Sequence, residues 1–418
     1  MAYIEVTGGK KLYGDIHIQG SKNAVLPILA ASVLHKGTST IHHCPEIADV
    51  QCMLRILESI GCDIKKSGST VIIDTTQLNC SSIPEEYVSK MRSSIILLGS
   101  LLGRNHFVTI SYPGGCTIGA RPIDLHLKGL KKLNVDIIEA NDLLTCMSTN
   151  LKGSKIKLDF PSVGATENII LAAVLAEGIT EITGAAMEPE ISCLCRFLNS
   201  MGAEIHGTGT SKLTIVGVQE LHDCEFTMPA DRIVAGTYMI AVAGTGGDIT
   251  LRGLECDQLK AAIQVVTSIG GNVTCAGDTI RVIQNGKPGA LDIIRTSPYP
   301  GFPTDLQSQI MTVLSVASGN SILVENIFED RYRNVTELQK MGANIETEGK
   351  IAIIRGVDAL HGATVKAFDL RGGAALVMAG MIAEGVTKIE SVQYIMRGYV
   401  DICKDLSALG ASIRLISD

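Results

Sequence analysis

The stretch Leu198-Asn199-Ser200-Met201-Gly202-Ala203-Glu204-Ile205 has the pattern of an amphipathic helix that ends in a tight turn and runs into a β-branched strand. The same pattern occurs six times, in the octets that begin at Leu57, Leu130, Leu198, Val266, Leu338 and Leu406. The turn residue is glycine in five copies and Asn134 in the sixth, and both types accept the left-handed backbone that commonly ends a helix. Because the turns lie 68 to 73 residues apart, the chain is predicted to contain six copies of one structural unit.

A second pattern recurs with the same period: an apolar helix, a closing glycine and a strand. It covers residues 30–41, 101–110, 176–182, 243–249, 317–323 and 383–389. These helices are rich in Ala, Ile and Leu on all sides, which predicts that they are buried. Each unit therefore offers an outer amphipathic helix, an inner buried helix and several strands. We expect two similar α/β lobes of three units each, with helices inside and sheets outside.

The domain boundaries follow from this division. A chain of 418 residues exceeds what one hydrophobic core usually supports. Lobe one is predicted to span residues 22–229, and lobe two to combine residues 1–21 with 230–418. The two crossings would lie near Gly20-Ser21 and Met228-Pro229-Ala230, and the active site in the cleft between the lobes.

Composition excludes several classes of protein. The net charge of −7 argues against a nucleic-acid partner bound through a basic surface. The apolar stretches fall short of the roughly 20 residues that a membrane span requires, and the first residues lack a signal-peptide pattern. The twelve cysteines are scattered without a regular framework, which favours a reducing compartment over disulfides. We therefore expect a cytoplasmic protein that binds neither membrane nor nucleic acid.

One cysteine stands in unusual surroundings, in Pro113-Gly114-Gly115-Cys116-Thr117-Ile118-Gly119-Ala120-Arg121. The glycines predict a loop, and an arginine follows the thiol after five residues. A nearby cation and free backbone N–H groups stabilise a thiolate, so this loop is typical of a reactive cysteine that meets an anionic ligand. The alternative is a small buried cysteine beneath a tight turn.

The beginnings of the inner helices carry a second group of candidates. They are Ser21-Lys22-Asn23, Lys90-Met91-Arg92, Ser162-Val163-Gly164, Ala230-Asp231-Arg232, Thr304-Asp305 and Asp369-Leu370-Arg371. A helix N-terminus presents unpaired N–H groups and a partial positive charge, which suits an anion. The alternative is that Ser21, Thr304, Asp231 and Asp369 are ordinary N-caps, although a cap explains neither Lys22 nor Arg371.

These segments resemble UDP-N-acetylglucosamine enolpyruvyl transferases along the whole chain. Further segments that carry the resemblance are Phe302-Pro303-Thr304-Asp305, Phe328-Glu329-Asp330-Arg331 and Arg397-Gly398-Tyr399. The resemblance implies a two-lobed inside-out α/β barrel. It also implies transfer of the enolpyruvyl group of phosphoenolpyruvate to the 3′-hydroxyl of UDP-N-acetylglucosamine with release of phosphate, the first committed step of peptidoglycan synthesis. No metal or organic cofactor is expected, and we expect a monomer.

The resemblance also assigns roles to residues. Cys116 matches the proton donor, whose sulfur can also add to phosphoenolpyruvate, and Asp305 matches the acceptor of the 3′-hydroxyl proton. Lys22 and Arg397 complete the catalytic set. The residues expected to bind substrate are Lys22, Asn23, Arg92, Arg121, Pro122, Ile123, Asp124, Leu125, Ser162, Val163, Gly164, Asp305, Ile327, Arg331, Arg371 and Arg397.

The chain departs from the family pattern at Met396, where an acid usually precedes the arginine. That change puts the orientation of Arg397 in question. Two alternative functions stay open at this point. One is the related shikimate-pathway enolpyruvyl transferase, which lacks this cysteine loop. The other is a non-catalytic paralogue that keeps the sugar-nucleotide site, although all five of Lys22, Cys116, Arg121, Asp305 and Arg397 are present.

Overall fold

The computed structural model describes residues 2–112, 118–119 and 122–417, so Cys116 and Arg121 lie outside the described residues. The strands are β1 (Tyr3–Thr7), β2 (Leu12–His17), β3 (Thr38–His42), β4 (Asp63–Ser67), β5 (Thr70–Asp74), β6 (Ser82–Ile83), β7 (Phe107–Ser111), β8 (Asp136–Ala140), β9 (Leu143–Met147), β10 (Lys155–Lys157), β11 (Ile179–Thr183), β12 (Glu204–His206), β13 (Lys212–Val216), β14 (Cys224–Thr227), β15 (Gly247–Arg252), β16 (Asn272–Ala276), β17 (Thr279–Gln284), β18 (Ile293–Arg295), β19 (Asn320–Val324), β20 (Asn344–Glu348), β21 (Ile351–Arg355), β22 (Thr364–Lys366), β23 (Val386–Glu390) and β24 (Ser412–Ile416).

The α-helices are α1 (Lys22–Ala31), α2 (Ala48–Ser59), α3 (Glu85–Val88), α4 (Leu97–Asn105), α5 (Asp124–Lys132), α6 (Val163–Ala173), α7 (Pro189–Ser200), α8 (Arg232–Thr245), α9 (Lys260–Ser268), α10 (Gln307–Leu314), α11 (Val335–Lys340), α12 (Leu370–Ile382) and α13 (Ile402–Ala408). Short 3₁₀ helices cover Ser32–Leu34, Arg92–Ile96, Cys256–Leu259, Thr304–Leu306 and Val392–Arg397.

The described strands form six four-stranded sheets with one shared topology. The strand orders are β14-β3-β5-β4, β6-β7-β9-β8, β10-β11-β13-β12, β16-β17-β15-β2, β18-β19-β21-β20 and β22-β23-β1-β24. In every sheet one edge strand pairs parallel with its neighbour and the other two pairings are antiparallel. The prediction of six repeated α/β units is confirmed.

Contacts between Cα atoms divide the chain into two compact units. Restricted to the described residues, one unit contains residues 20–112 and 122–229 and the other contains 2–19, 118–119 and 230–417. We call them the first and the second lobe. The N-terminal strands β1 and β2 complete sheets of the second lobe. Each lobe has its own hydrophobic core and three of the six sheets.

The turn residues of the repeat adopt the backbone that the sequence predicts. Asn134 has φ of 67°, and the five glycines have φ between 94° and 104°. At these values an L side chain is strained, which explains why five copies carry glycine. The sixth turn is stabilised by its side chain, because Asn134 Nδ2 donates to the carbonyl of Asn150 at 3.0 Å.

Inner and outer helices differ in burial as expected. In α8 and α12 nearly every residue is buried, whereas α2 and α7 bury one face. The inner helices α8, α10 and α12 pack against one another in the second lobe, as α4 and α6 do in the first. Two inner helices begin with a 3₁₀ turn, Arg92–Ile96 before α4 and Thr304–Leu306 before α10.

The cysteines require one correction. Nine described cysteines are free, but Cys256 and Cys275 form a disulfide between the 3₁₀ helix before α9 and strand β16. The pairing joins neighbouring elements of one repeat, and spacing along the chain gave no sign of it. Among the described residues, no helix has the length and apolar character needed to cross a bilayer.

Candidate functional site

Asp305 in the second lobe lies between two arginines. Its Oδ1 accepts a hydrogen bond from Arg331 Nη2 at 2.9 Å, and its Oδ2 accepts one from Arg371 Nη2 at 2.9 Å. Both guanidinium groups are 3% exposed, whereas the carboxylate is 25% exposed. Charge-assisted bonds of this kind favour the ionised carboxylate, and they leave it partly open to solvent.

The packing of the inner helices brings these residues together. Asp305 belongs to the 3₁₀ turn that leads into α10, and Arg371 is the second residue of α12, which packs against α10. Asp369 fixes the start of α12 by accepting hydrogen bonds from the backbone N–H groups of Arg371 at 2.9 Å and Gly372 at 3.0 Å. Asp231 caps α8 in the same way. The N-cap interpretation is confirmed for both aspartates.

Arg371 is held in its charged form against the effect of burial. Burial opposes the charge, but the Asp305 carboxylate, Tyr399 and Asp231 together outweigh it, so the pKa of the guanidinium rises above its usual value. Tyr399 lies beside it, and its hydroxyl is 2.9 Å from Thr237 Oγ1. Burial raises the pKa of Tyr399, so the phenol stays neutral.

Thr304 does not cap a helix, which corrects the N-cap alternative at this position. Pro303 occupies the cap position, and Thr304 Oγ1 donates to Glu325 Oε2 at 2.9 Å. Glu325 is 1% exposed, and sequence reasoning missed it. A signal was present, because Ser321, Leu323 and Glu325 alternate on the buried face of β19 and its continuation.

Arg397 ends the 3₁₀ helix Val392–Arg397, and the segment after it is tied to the N-terminal strand region. Gln19 Nε2 donates to the carbonyl of Gly398 at 2.9 Å, and Gln19 Oε1 accepts from the backbone N–H of Val400 at 2.8 Å. The side chain of Met396 is 42% exposed. The departure from the family pattern therefore lies at the surface, next to a backbone that hydrogen bonds hold in place.

Lys22 in the first lobe is oriented by a buried acid. Its Nζ lies 3.1 Å from Asp49 Oδ2, and the two side chains are 12% and 5% exposed. Ser21 caps α1, because its Oγ accepts from the backbone N–H of Ala24 at 3.4 Å. Asp49 was missed, although it shares the buried face of the amphipathic helix α2 with Met53.

A buried hydrogen-bond network fixes the start of α6. Ser162 Oγ accepts from the backbone N–H of Ala165 at 3.3 Å, which makes Ser162 the N-cap of a helix whose first residues are Val163 and Gly164. The ring of His126 lies against Gly164, where a Cβ would come within 2.9 Å of Cε1. A larger residue at this position would require the imidazole to shift.

His126 and Asn168 tie three helices together. Asn168 Oδ1 accepts from the backbone N–H of Gly99 at 2.8 Å, and Nδ2 donates to the carbonyl of Ile95 at 3.0 Å. The same Nδ2 lies 2.7 Å from His126 Nδ1, so Nδ1 accepts and the neutral ring carries its proton on Nε2. Sequence reasoning missed His126, which directly follows the predicted residue Leu125.

The remaining predicted residues lie at the ends of elements. Arg92 opens a 3₁₀ turn, not an α-helix, and Ile327 follows β19. Pro122 and Ile123 precede α5, whose first residues are Asp124 and Leu125. Asn23 is the second residue of α1. Of the predicted set, Asp305, Arg331 and Arg371 are in direct contact.

Two described residues belong to the glycine-rich loop. The carbonyl of Ile118 accepts from the backbone N–H of Asp330 at 3.2 Å. Gly119 has φ of 139°, and a Cβ there would lie 2.4 Å from Glu329 Oε2. Both residues group with the second lobe.

Comparison with known proteins gives three kinds of match. The family described as EPSP synthase (3-phosphoshikimate 1-carboxyvinyltransferase) matches residues 6–406. A protein of Caldanaerobacter subterraneus subsp. tengcongensis named UDP-N-acetylglucosamine 1-carboxyvinyltransferase 2 is 51% identical and covers 99% of each chain. A protein of Halalkalibacterium halodurans named UDP-N-acetylglucosamine 1-carboxyvinyltransferase 1 is 44% identical and covers all of this chain and 95% of that protein.

Solved structures agree on the fold. The enolpyruvyl transferase NikO from Streptomyces tendae superposes with a TM-score of 0.90 at 22% identity, over 99% of this chain and 98% of that one. EPSP synthase from Acinetobacter baumannii superposes with a TM-score of 0.76 at 19% identity over the full length of both chains. The two-lobed fold predicted from the repeats is therefore confirmed.

Proposed function

Because the chain belongs to the UDP-N-acetylglucosamine 1-carboxyvinyltransferase family, we propose that it transfers the enolpyruvyl group of phosphoenolpyruvate to the 3′-hydroxyl of UDP-N-acetylglucosamine. The identity of 51% over essentially the whole length carries this proposal. In the reaction, the hydroxyl oxygen bonds to C2 of phosphoenolpyruvate while C3 gains a proton. The tetrahedral adduct then loses a proton from C3 and expels phosphate, which restores the double bond. The product is a precursor for peptidoglycan synthesis.

Asp305 is the proposed acceptor of the hydroxyl proton. A carboxylate has about four lone-pair positions, and the bonds from Arg331 and Arg371 occupy one on each oxygen. The side chain of Asp305 is 25% exposed, which supports access by the substrate hydroxyl. The two buried arginines hold it in a fixed orientation, and general-base assistance depends on such positioning.

The other roles rest on the family resemblance. Cys116 supplies the proton to C3, and Lys22, Arg121 and Arg397 hold the anionic groups of phosphoenolpyruvate, with Asn23 beside them. Asp49 supports the proposed role of Lys22, because the 3.1 Å ion pair restricts a side chain that otherwise has many rotamers.

The sugar nucleotide is proposed to contact the remaining residues. They are Arg92, Pro122, Ile123, Asp124, Leu125, Ser162, Val163, Gly164 and Ile327, the last through its backbone, together with Arg121. The N-terminus of α6 supports the site for diphosphate, because a capped helix start presents backbone N–H groups and the positive end of the helix dipole.

A phosphate-release assay with two acceptors tests the proposal. We expect phosphoenolpyruvate-dependent release with UDP-N-acetylglucosamine and none with shikimate 3-phosphate. Release with shikimate 3-phosphate alone would assign the chain to the other branch of the fold. Binding of UDP-N-acetylglucosamine by calorimetry without any phosphate release would indicate a non-catalytic binding protein.

We also propose that the enzyme acts as a cytoplasmic monomer. Phosphoenolpyruvate is an intermediate of central metabolism, which supports a location in the cytoplasm. The net charge of −7 supports a monomer, because molecules of like charge repel one another. Sedimentation velocity at micromolar concentration should give a single species close to 44.3 kDa, and a stable dimer would contradict the proposal.

A further inference from the structure

Glu325 accepts four hydrogen bonds in the second lobe, although it was not among the predicted site residues. Its Oε1 accepts from Thr296 Oγ1 at 2.9 Å, from the backbone N–H of Ile327 at 2.7 Å and from that of Phe328 at 3.1 Å. Its Oε2 accepts from Thr304 Oγ1 at 2.9 Å. The residue is 1% exposed, so solvent does not compete for these bonds.

The two oxygens serve different segments. Oε2 holds Thr304, the residue immediately before the proposed base Asp305. Oε1 holds the turn that contains Ile327, the position proposed to contact the sugar nucleotide through its backbone. Thr296 reinforces this second arm, because its Oγ1 accepts from the backbone N–H of Asn326 at 2.9 Å and its carbonyl accepts from Asn326 Nδ2 at 3.1 Å.

The same turn leads to Arg331, which itself bonds Asp305. Arg331 Nη2 donates to Asp305 Oδ1 at 2.9 Å and to the carbonyl of Thr304 at 3.3 Å. Glu325 therefore links two segments that also contact each other. One contains Thr304 and Asp305, and the other runs from Ile327 to Arg331. We therefore expect a change in the position of Glu325 to alter the direction in which the Asp305 carboxylate points.

We propose that Glu325 is a positioning residue that sets the orientation of the catalytic base through Thr304 and the sugar-nucleotide contact through the turn at Ile327. This inference rests on the function proposed above. Glu325 touches no substrate in this account. Its two oxygens act on two different measurable quantities. Oε2 acts on turnover through Thr304 and Asp305, and Oε1 acts on affinity for the sugar nucleotide through the turn at Ile327.

Single-arm variants separate the two effects. Thr304→Val removes the hydroxyl that bonds Oε2 and is expected to lower kcat about tenfold, with the calorimetric affinity for UDP-N-acetylglucosamine within about twofold. Thr296→Val removes a donor to Oε1 and is expected to weaken that affinity about fivefold to tenfold, with kcat within about twofold. Glu325→Gln should show both losses, and Thr304→Ser, which keeps the hydroxyl, should restore kcat.

Glu337→Gln is the matched control. Glu337 is also a buried carboxylate of the second lobe, 3% exposed, and it accepts from the backbone N–H of Lys366 at 2.9 Å and from Lys340 Nζ. Its replacement should lower Tm as Glu325→Gln does, while kcat and sugar-nucleotide affinity stay within about twofold of the wild type.

A double variant tests whether the effect passes through the base. In an Asp305→Asn background, Glu325→Gln should cause no further loss of residual turnover, because the group that it orients is already disabled. The proposal is overturned if Thr304→Val and Thr296→Val change kcat and affinity in the same proportion, or if Glu325→Gln alters Tm alone. A wild-type enzyme without UDP-N-acetylglucosamine-dependent phosphate release would instead overturn the proposed function.

Discussion

At the scale of single residues, Asp305 is bound by two arginines, one at each carboxylate oxygen. The carboxylate compensates two guanidinium groups that are each 3% exposed, and they fix both of its oxygens. A buried charge without its partner is costly, so this residue contributes to stability as well as to the proposed chemistry. Effects on folding and on turnover must therefore be measured separately.

Replacement of Asp305 by Asn should reduce turnover far more than binding. Asn keeps one acceptor oxygen but cannot take the 3′-hydroxyl proton, so kcat is expected to fall about a hundredfold to ten-thousandfold. Calorimetric affinity for UDP-N-acetylglucosamine should change by at most about tenfold, the equivalent of one hydrogen bond. Tm should also fall, because Arg331 and Arg371 lose the compensating charge.

The control is Asp358→Asn, a fully exposed aspartate of the same lobe. Its turnover, affinity and Tm should match those of the wild type. If affinity collapses in Asp305→Asn while turnover at saturation survives, Asp305 is a binding residue and the base lies elsewhere.

Cysteine reactivity gives a second prediction at this scale. Burial raises the pKa of Cys44, Cys62 and Cys146 to about 12, so these thiols stay protonated at neutral pH. We expect a small phosphonate epoxide that mimics phosphoenolpyruvate to alkylate Cys116 selectively, and faster when UDP-N-acetylglucosamine is present. Peptide mass mapping measures the site. Cys116→Ala should lose both the label and turnover.

Cys80 is the matched control for that experiment, because it is a free and only partly buried thiol. Cys80→Ser should leave the rate and extent of labelling unchanged. A label distributed over several cysteines would contradict selective reactivity at Cys116.

At the scale of elements, the helix-ending turns depend on glycine for two separate reasons. Gly270 has φ of 101° and nothing closer than 3.8 Å to a Cβ built on it, so only its backbone requires glycine. Gly61 has φ of 104°, and a Cβ there would lie 2.9 Å from the carbonyl oxygen of Gln77. Comparison of Gly270 with Gly61 therefore distinguishes the cost of backbone strain from the cost of steric contact.

Alanine substitutions should reveal this difference in the free energy of unfolding. Gly270→Ala is expected to cost about 1–2 kcal/mol from the left-handed backbone alone. Gly61→Ala should cost about 1–3 kcal/mol more because the neighbouring chain must move. Urea denaturation gives both values. Gly286→Ala, where a Cβ has no neighbour within 4 Å and φ is ordinary, should be nearly neutral. Equal losses at all three positions would refute the explanation.

At the scale of the whole molecule, stability should depend on pH through a buried acidic group. Glu167 in α6 is 3% exposed, and burial raises its pKa well above the ordinary 4.5, with Glu190 and Glu188 adding to the effect. The folded protein thus retains a proton that the unfolded chain releases. The contribution of protonated Glu167 to the free energy of unfolding is fully present below pH 4.5, and it is lost as pH rises towards the folded-state pKa.

Glu167→Gln should remove that loss. Its Tm is expected to exceed that of the wild type at pH 8, and the difference should shrink towards zero near pH 4.5, where both side chains are neutral. Thermal unfolding across this range measures it. Glu220→Gln, at an exposed position, should follow the wild-type curve. A constant difference at every pH would show that the effect is packing and not proton release.

The repeated architecture could be predicted from the sequence alone. The helix-turn-strand pattern is local, and the left-handed turn at Gly202 and its equivalents is readable from residue type. The same holds for the buried inner helices and for the candidate positions at their beginnings. Short-range periodicity depends on side-chain size and backbone preference, which a single sequence displays directly.

The contacts between distant side chains became visible only in the folded protein. Asp305 bonds arginines 26 and 66 residues away, which come from later parts of the chain. Three further contacts could not be predicted from the spacing of residues along the chain. They are the hydrogen bond from Thr304 to Glu325, the ion pair of Lys22 with Asp49 and the Cys256–Cys275 disulfide. These contacts depend on how the buried helices pack against each other, and close packing selects partners by shape over distances that no local pattern records.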